Sequence, residues 1–239
     1  MNIVDFYRSL LDNSKNVIDS IIEHNGIESL TSSHNFLLDY DKFITAISDR
    51  PEVSVLESAV KEYQFALFAL ATGQYRHAFV GLRLFFELML AAVQFSAHEI
   101  DFRMWSKDEK DINWNLIKNP ENGVFSKNFI RAFNPDLSDN GKQYLAIAES
   151  VYRECSEFVH GNAATHKRLP SDILFQEDTF NFWHEKATTM RLVIIFAFSA
   201  RYLNYINENA KNVIEPVVID VLGHLQPIQE IFSNPLETK

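Results

Sequence analysis

The chain has 239 residues, 46% of them hydrophobic with 20 Phe, and a formal net charge of −10. That length and apolar content support a sizeable core and exclude a disordered chain. The acidity excludes a surface that grips nucleic acid along its length, leaving only local contact. The single cysteine, Cys155, cannot form an intramolecular disulfide and fits a reducing cytosol. The N-terminal residues lack the basic flank and apolar run of a secretory signal. Of the most apolar stretches, 78–95 carries Arg83 and Glu87, and 192–200 is shorter than the roughly 20 residues a membrane span needs. The expectation is a cytoplasmic protein with no membrane segment.

Apolar residues recur at helical spacing almost throughout and no alternating strand is evident, so the fold class is all-α. A first amphipathic helix spans 3–24 and ends at Asn25-Gly26. A second runs from Ser33 to Ile47, and a third starts at Pro51-Glu52 and stops at Thr72-Gly73. The fourth, 74–98, is apolar nearly all round and should be the central buried helix. Its polar residues Arg76, Arg83, Glu87 and Gln94 fall on one line, which should face other polar groups. Residues 101–135 read as short helices and loops. A helix then begins near Ser138 or Asp139 and ends at His160, with Gly161-Asn162 as its stop and Tyr144, Ile147, Ala148, Val151, Cys155, Phe158 and Val159 as its core stripe. A loop over 161–172 carries His166-Lys167-Arg168. A long helix follows over 175–208, and a last one covers 211–232 around Pro216 and Pro227. Residues 1–50 would form an N-terminal helical hairpin packed on the core, and 51–239 the main bundle, together one compact unit.

The residues that carry chemistry cluster at the end of the 138–160 helix. Arg153 and His160 are close to two turns apart and project from one face. A guanidinium neutralises phosphate charge and an imidazole moves protons near neutral pH, the two parts that metal-free RNA cleavage needs. The spacing alone arises about once by chance in such a chain. Two structural readings stand beside it: Glu149, Arg153 and Glu157 are spaced as a surface ion-pair ladder, and His160 suits the helix C-terminus. Arg83 and Glu87, at i, i+4, are either a structural ion pair or a second shell behind Arg153 and His160. No compact His/Cys/Asp cluster suggests a metal, and no cofactor is expected.

The run Tyr152 to His166 resembles the signature of the HEPN superfamily (higher eukaryotes and prokaryotes nucleotide-binding), in which Arg is followed by His after four to six residues. Val159-His160-Gly161-Asn162-Ala163-Ala164-Thr165-His166 resembles the "GN-x-x-x-H" closing phrase of HEPN-like families in restriction and phage-defence systems. Tyr75 to Glu87 is similar to their "YR-A…LR…E" helix. The resemblance implies an up-and-down helical bundle, here with extra N- and C-terminal helices, that usually dimerises, around the 143–160 helix in this chain. It also implies a composite RNA-cutting site in which His160 is the acid or base and Arg153 stabilises the phosphorane. His166 is the alternative histidine. Tyr152 would stack on a base, and Asn162, His166, Lys167 and Arg168 would contact the substrate. The family commonly places Asn, Asp or His after the arginine, where this chain has Glu154. Glu149, Glu154 and Glu157 must therefore face elsewhere for a phosphate to approach. The function so implied is a metal-independent endoribonuclease, the toxin or effector of a bacterial phage-defence system. A non-catalytic dimerisation or partner-binding subunit, and a nucleotide or ligand sensor with its groove beside Arg83, are the alternatives.

Overall fold

The computed structural model describes residues 2–233, and every regular element among them is helical. The first four are α1 (Ile3–Glu23), α2 (Ile27–Ala46), α3 (Val53–Ala71) and α4 (Tyr75–Phe95). Three short helices follow, α5 (Glu99–Trp105), α6 (Trp114–Ile117) and α7 (Lys127–Phe133), and a 3-10 turn at Pro135–Leu137 leads into α8 (Gly141–His160). Then come α9 (Ala163–Arg168), α10 (Glu177–Tyr202), α11 (Glu208–Leu222) and α12 (Gln226–Ser233). Of the expected 51–239 bundle, residues 234–239 lie outside the described residues.

Four boundaries differ from the sequence reading, each for a local reason. α2 begins at Ile27 rather than Ser33, because the Ser33 hydroxyl caps nothing and instead meets Nδ1 of His184 at 2.7 Å. The expected loop over 161–172 contains α9, whose first turn is closed by Thr165 N–H on the Asn162 carbonyl at 2.9 Å. The expected 175–208 helix stops at Tyr202, since the Asn207 side chain accepts from Ala210 N and starts α11 anew. The expected last helix over 211–232 is two helices, separated at Gly223.

α4 lies at the centre, packed on α3, α8 and α10, with Phe79, Leu82, Phe85, Phe86 and Leu90 fully buried. It approaches α3 most closely at Gly81, where an added Cβ would stand 3.1 Å from that of Ala66. Stacked aromatic pairs fix the other contacts: Phe79 lies 3.9 Å from Phe158, tying α4 to α8, and Tyr144 lies 3.7 Å from Phe196, tying α8 to α10. α2 joins this core through Phe36, Tyr40 and Phe43, against α3, α10 and α11, whereas α1 packs chiefly on α3. Among the described residues α4 alone is long and apolar enough to cross a membrane by length and composition, and 72% of that window is buried within the fold. A buried helix needs its polar groups satisfied. The polar line of α4 meets other elements: Arg76 and Arg83 reach α8, and Gln94 donates to the Asn122 carbonyl at 3.2 Å, while Arg83 Nε and Gln94 Oε1 stay buried without a partner among the described residues.

Candidate functional site

Consecutive side chains on a helix point about 100° apart, and three neighbours on α8 diverge accordingly. Tyr152 turns toward α4. Its hydroxyl donates to Glu87 Oε1 at 3.2 Å and accepts from Arg83 Nη2, while Arg83 and Glu87 pair at 3.5 Å. The Tyr152 ring lies 3.9 Å from Trp114, nearly parallel at 3°, and the Arg83 guanidinium stands 4.7 Å from the ring centroid. One face of Tyr152 is therefore covered, and its hydroxyl is engaged in holding α8 to α4. Burial pushes the Tyr152 phenol above its ordinary titration range, which keeps it a neutral donor.

Glu154 turns the other way, toward α10. Lys186 Nζ lies 2.5 Å from its carboxylate, and the Ser150 hydroxyl donates to it at 3.0 Å. Partial burial would raise the Glu154 pKa, but the hydrogen bonds from Lys186 and Ser150, with the charges of Lys186 and Arg168, hold it below its ordinary value. Lys186 is in turn held above its own, since its bonds to Glu154 and Glu185 outweigh the burial that would lower it. Between these two anchors Cys155 faces the core, where burial pushes its thiol up to about 12. It is chemically inert there.

Arg153, the side chain between Tyr152 and Glu154, points away from the core into solvent and forms no ion pair among the described residues. The ladder Glu149–Arg153–Glu157 is not formed, because Glu149 pairs with Lys118 at 3.2 Å. Two of the three carboxylates near Arg153 are thus neutralised by lysines from other elements. His160, also exposed, lies on the same outward face about 10 Å further along the axis. The sequence reading set Val159 on the core stripe. It is 36% exposed instead, since α8 runs out past the edge of the core at its last turn.

The last turn of α8 is closed partly from α4. Arg76 Nη1 donates to the Phe158 carbonyl at 2.5 Å, satisfying one of the open carbonyls of the last turn. Gly161 then takes the left-handed conformation with φ +63°, and Asn162 N–H returns to the Glu157 carbonyl at 3.3 Å. Glycine is suited to this position because a Cβ is strained at positive φ. A Cβ there would stand 3.6 Å from His166 Nε2 and 3.7 Å from Arg76 Nη1, so both groups border the same corner. The two candidate histidines are thereby distinguished: His160 looks outward with Arg153, and His166 looks back over Gly161 toward Arg76. Asn162 shapes the turn through its backbone, and its side chain makes no capping bond to α9.

Lys167 and Arg168 are exposed and border a cleft of about 370 Å³ with Phe158, Asp178, Thr179 and Phe182. The Arg168 guanidinium lies 5.0 Å and Lys186 Nζ 4.5 Å from the centroid of Phe182, which gathers the basic groups along the α9–α10 side. No group of three or more metal-ligating side chains occurs among the described residues. No family model, curated protein or solved structure matches the chain. Arg83 and Glu87 were legible as a pair from their spacing, and Arg76 from its place on the same polar line. Lys118 and Lys186 carried no signal, since each acts across elements distant in sequence.

Proposed function

We propose that this chain is a metal-independent endoribonuclease of HEPN type acting in the cytoplasm, the toxin or effector of a phage-defence system, with Arg153 and His160 as its catalytic pair. The observation that carries this reading is the outward face of α8. There, an arginine and a histidine stand free of partners among the described residues while Glu149 and Glu154 beside them are occupied by Lys118 and Lys186. Exposed basic side chains without structural duties are available to a substrate phosphate, and neutralised carboxylates no longer repel it. In the proposed reaction His160 takes the proton of the ribose 2′-hydroxyl or supplies one to the leaving 5′-oxygen. Arg153 stabilises the charge that builds on the phosphorane oxygens. Lys167 and Arg168 hold flanking phosphates, and Arg83, Glu87 and Tyr152 fix the rotation of α8 that aims the pair outward.

Purified wild type and His160→Ala, incubated with total RNA and a defined tRNA in EDTA, test this. Wild type should leave 2′,3′-cyclic phosphate ends and His160→Ala should leave the RNA intact. Intact RNA with both proteins would favour the second reading, a non-catalytic partner-binding subunit, for which the net charge of −10 speaks.

A further inference from the structure

α1 carries more apolar surface than its own fold covers. Leu10, Val17 and Ile21 lie on one stripe, of which Val17 and Ile21 are fully buried against the rest of the chain. A second stripe lies beside it: Val4 (52% exposed), Tyr7 (60%), Leu11 (70%), Ile18 (40%) and Ile22 (56%). At about 100° per residue these five fall within an arc of about 60°. Val4, Leu11 and Ile18 are each seven residues apart, the repeat of a helix that packs along a second helix. Nothing else in the described chain covers that stripe, and α1 packs chiefly on α3.

The edge of the stripe says what does cover it. Asp5, Arg8, Asp12, Lys15 and Asp19 run along one flank, all exposed, with alternating sign. None of them forms an ion pair among the described residues, although Arg8 and Asp12, and Lys15 and Asp19, are spaced for it. A strip of alternating charge is complementary to an antiparallel copy of itself. Placed about a point between Asp12 and Lys15, two copies set Asp12 against Lys15 and Arg8 against Asp19, and bring Val4 near Ile22 and Tyr7 near Ile18.

We infer that α1 is the dimerisation arm of this protein, and that its partner is α1 of a second copy, antiparallel about a two-fold axis. Such an arrangement makes one patch serve both copies, as a closed two-fold dimer requires. Side chains as exposed as these would bury on the order of 1,000 Å² over both copies, in the range of weak or transient interfaces. The charge edge sets register more than strength. Phe65 and Phe68 on α3 are also exposed, but they lack the alternating charge edge that runs beside the α1 stripe. This inference goes beyond the nuclease reading and stands whether or not RNA is cut.

Sedimentation velocity of the full chain at rising protein concentrations, wild type against Leu11→Asp/Ile18→Asp, tests it. Wild type should sediment as a dimer and the double variant as a monomer of unchanged helical circular dichroism. Ser14→Cys adds a second reading that needs no loss of stability, because the native Cys155 is buried and the new thiol sits near the two-fold axis. Mild oxidation should give a covalent dimer through position 14. A wild type that stays monomeric at every concentration, including one whose α1 binds a different protein, would overturn the inference. So would a dimer that survives the double variant, or a Ser14→Cys chain that oxidation leaves uncrosslinked.

Discussion

Two arginines and two histidines of this chain have opposite fates. Arg83, 23% exposed, is locked between Glu87 and the Tyr152 hydroxyl, and His184 is buried against Ser33. Arg153 and His160 stand on the outward face of α8 without a partner among the described residues. The residue types are the same, and only their place relative to the core differs. The inner pair is tied into hydrogen bonds that join elements of the fold, and under the nuclease reading the outward pair is the one that meets substrate. The difference should appear as a double dissociation between stability and activity.

The largest effect belongs to the outward pair. His160→Ala or Arg153→Ala should lower RNA cleavage by about 100-fold or more, and either substitution should relieve toxicity on expression. Neither removes a buried contact, so each should shift unfolding by no more than about 0.5 kcal/mol.

Arg83→Ala inverts the pattern. It leaves Glu87 and the Tyr152 hydroxyl half-buried without their cation, and should cost about 2–4 kcal/mol in urea or thermal unfolding. An Arg83→Ala variant of wild-type stability would mean that this network does not hold α8.

His184 ties stability to pH. Burial holds His184 down at about 4 against an ordinary 6.5, so the unfolded chain takes up that proton first as the pH falls. The stability this neutral histidine supports is complete above pH 6.5 and is lost progressively from there down to about 4, by roughly 3 kcal/mol at most. His184→Gln should flatten that part of the stability–pH curve.

The smallest effect is at the turn between the two regions. Gly161→Ala puts a Cβ at φ +63° and should cost about 1 kcal/mol, read by thermal unfolding.

Most of the helices were legible because their apolar residues repeat with the helical period, which reports one buried face without naming what covers it. The polar line of α4 was legible for the same reason, and Arg76, Arg83 and Glu87 all reach α8 from it. One boundary was misread because a local signal served a distant group, Ser33 meeting His184 instead of capping a helix, whereas the others turn on local bonds such as the Asn207 cap of α11. At the site, sequence spacing placed Arg153 and His160 on one face of α8. It could not tell that Lys118 and Lys186 would neutralise Glu149 and Glu154, because those pairings join residues far apart in the chain. The free or bound state of a charge depends on tertiary neighbours, and periodicity contains no record of them.

The most direct test of the account is the RNA-cleavage rate of Arg153→Ala in EDTA, measured beside wild type on protein of verified thermal stability. The account predicts a melting temperature within about 2 °C of wild type and cleavage reduced about 100-fold or more. Cleavage at the wild-type rate by a fully folded Arg153→Ala would contradict it, and would return Arg153 to the ordinary charged surface of α8.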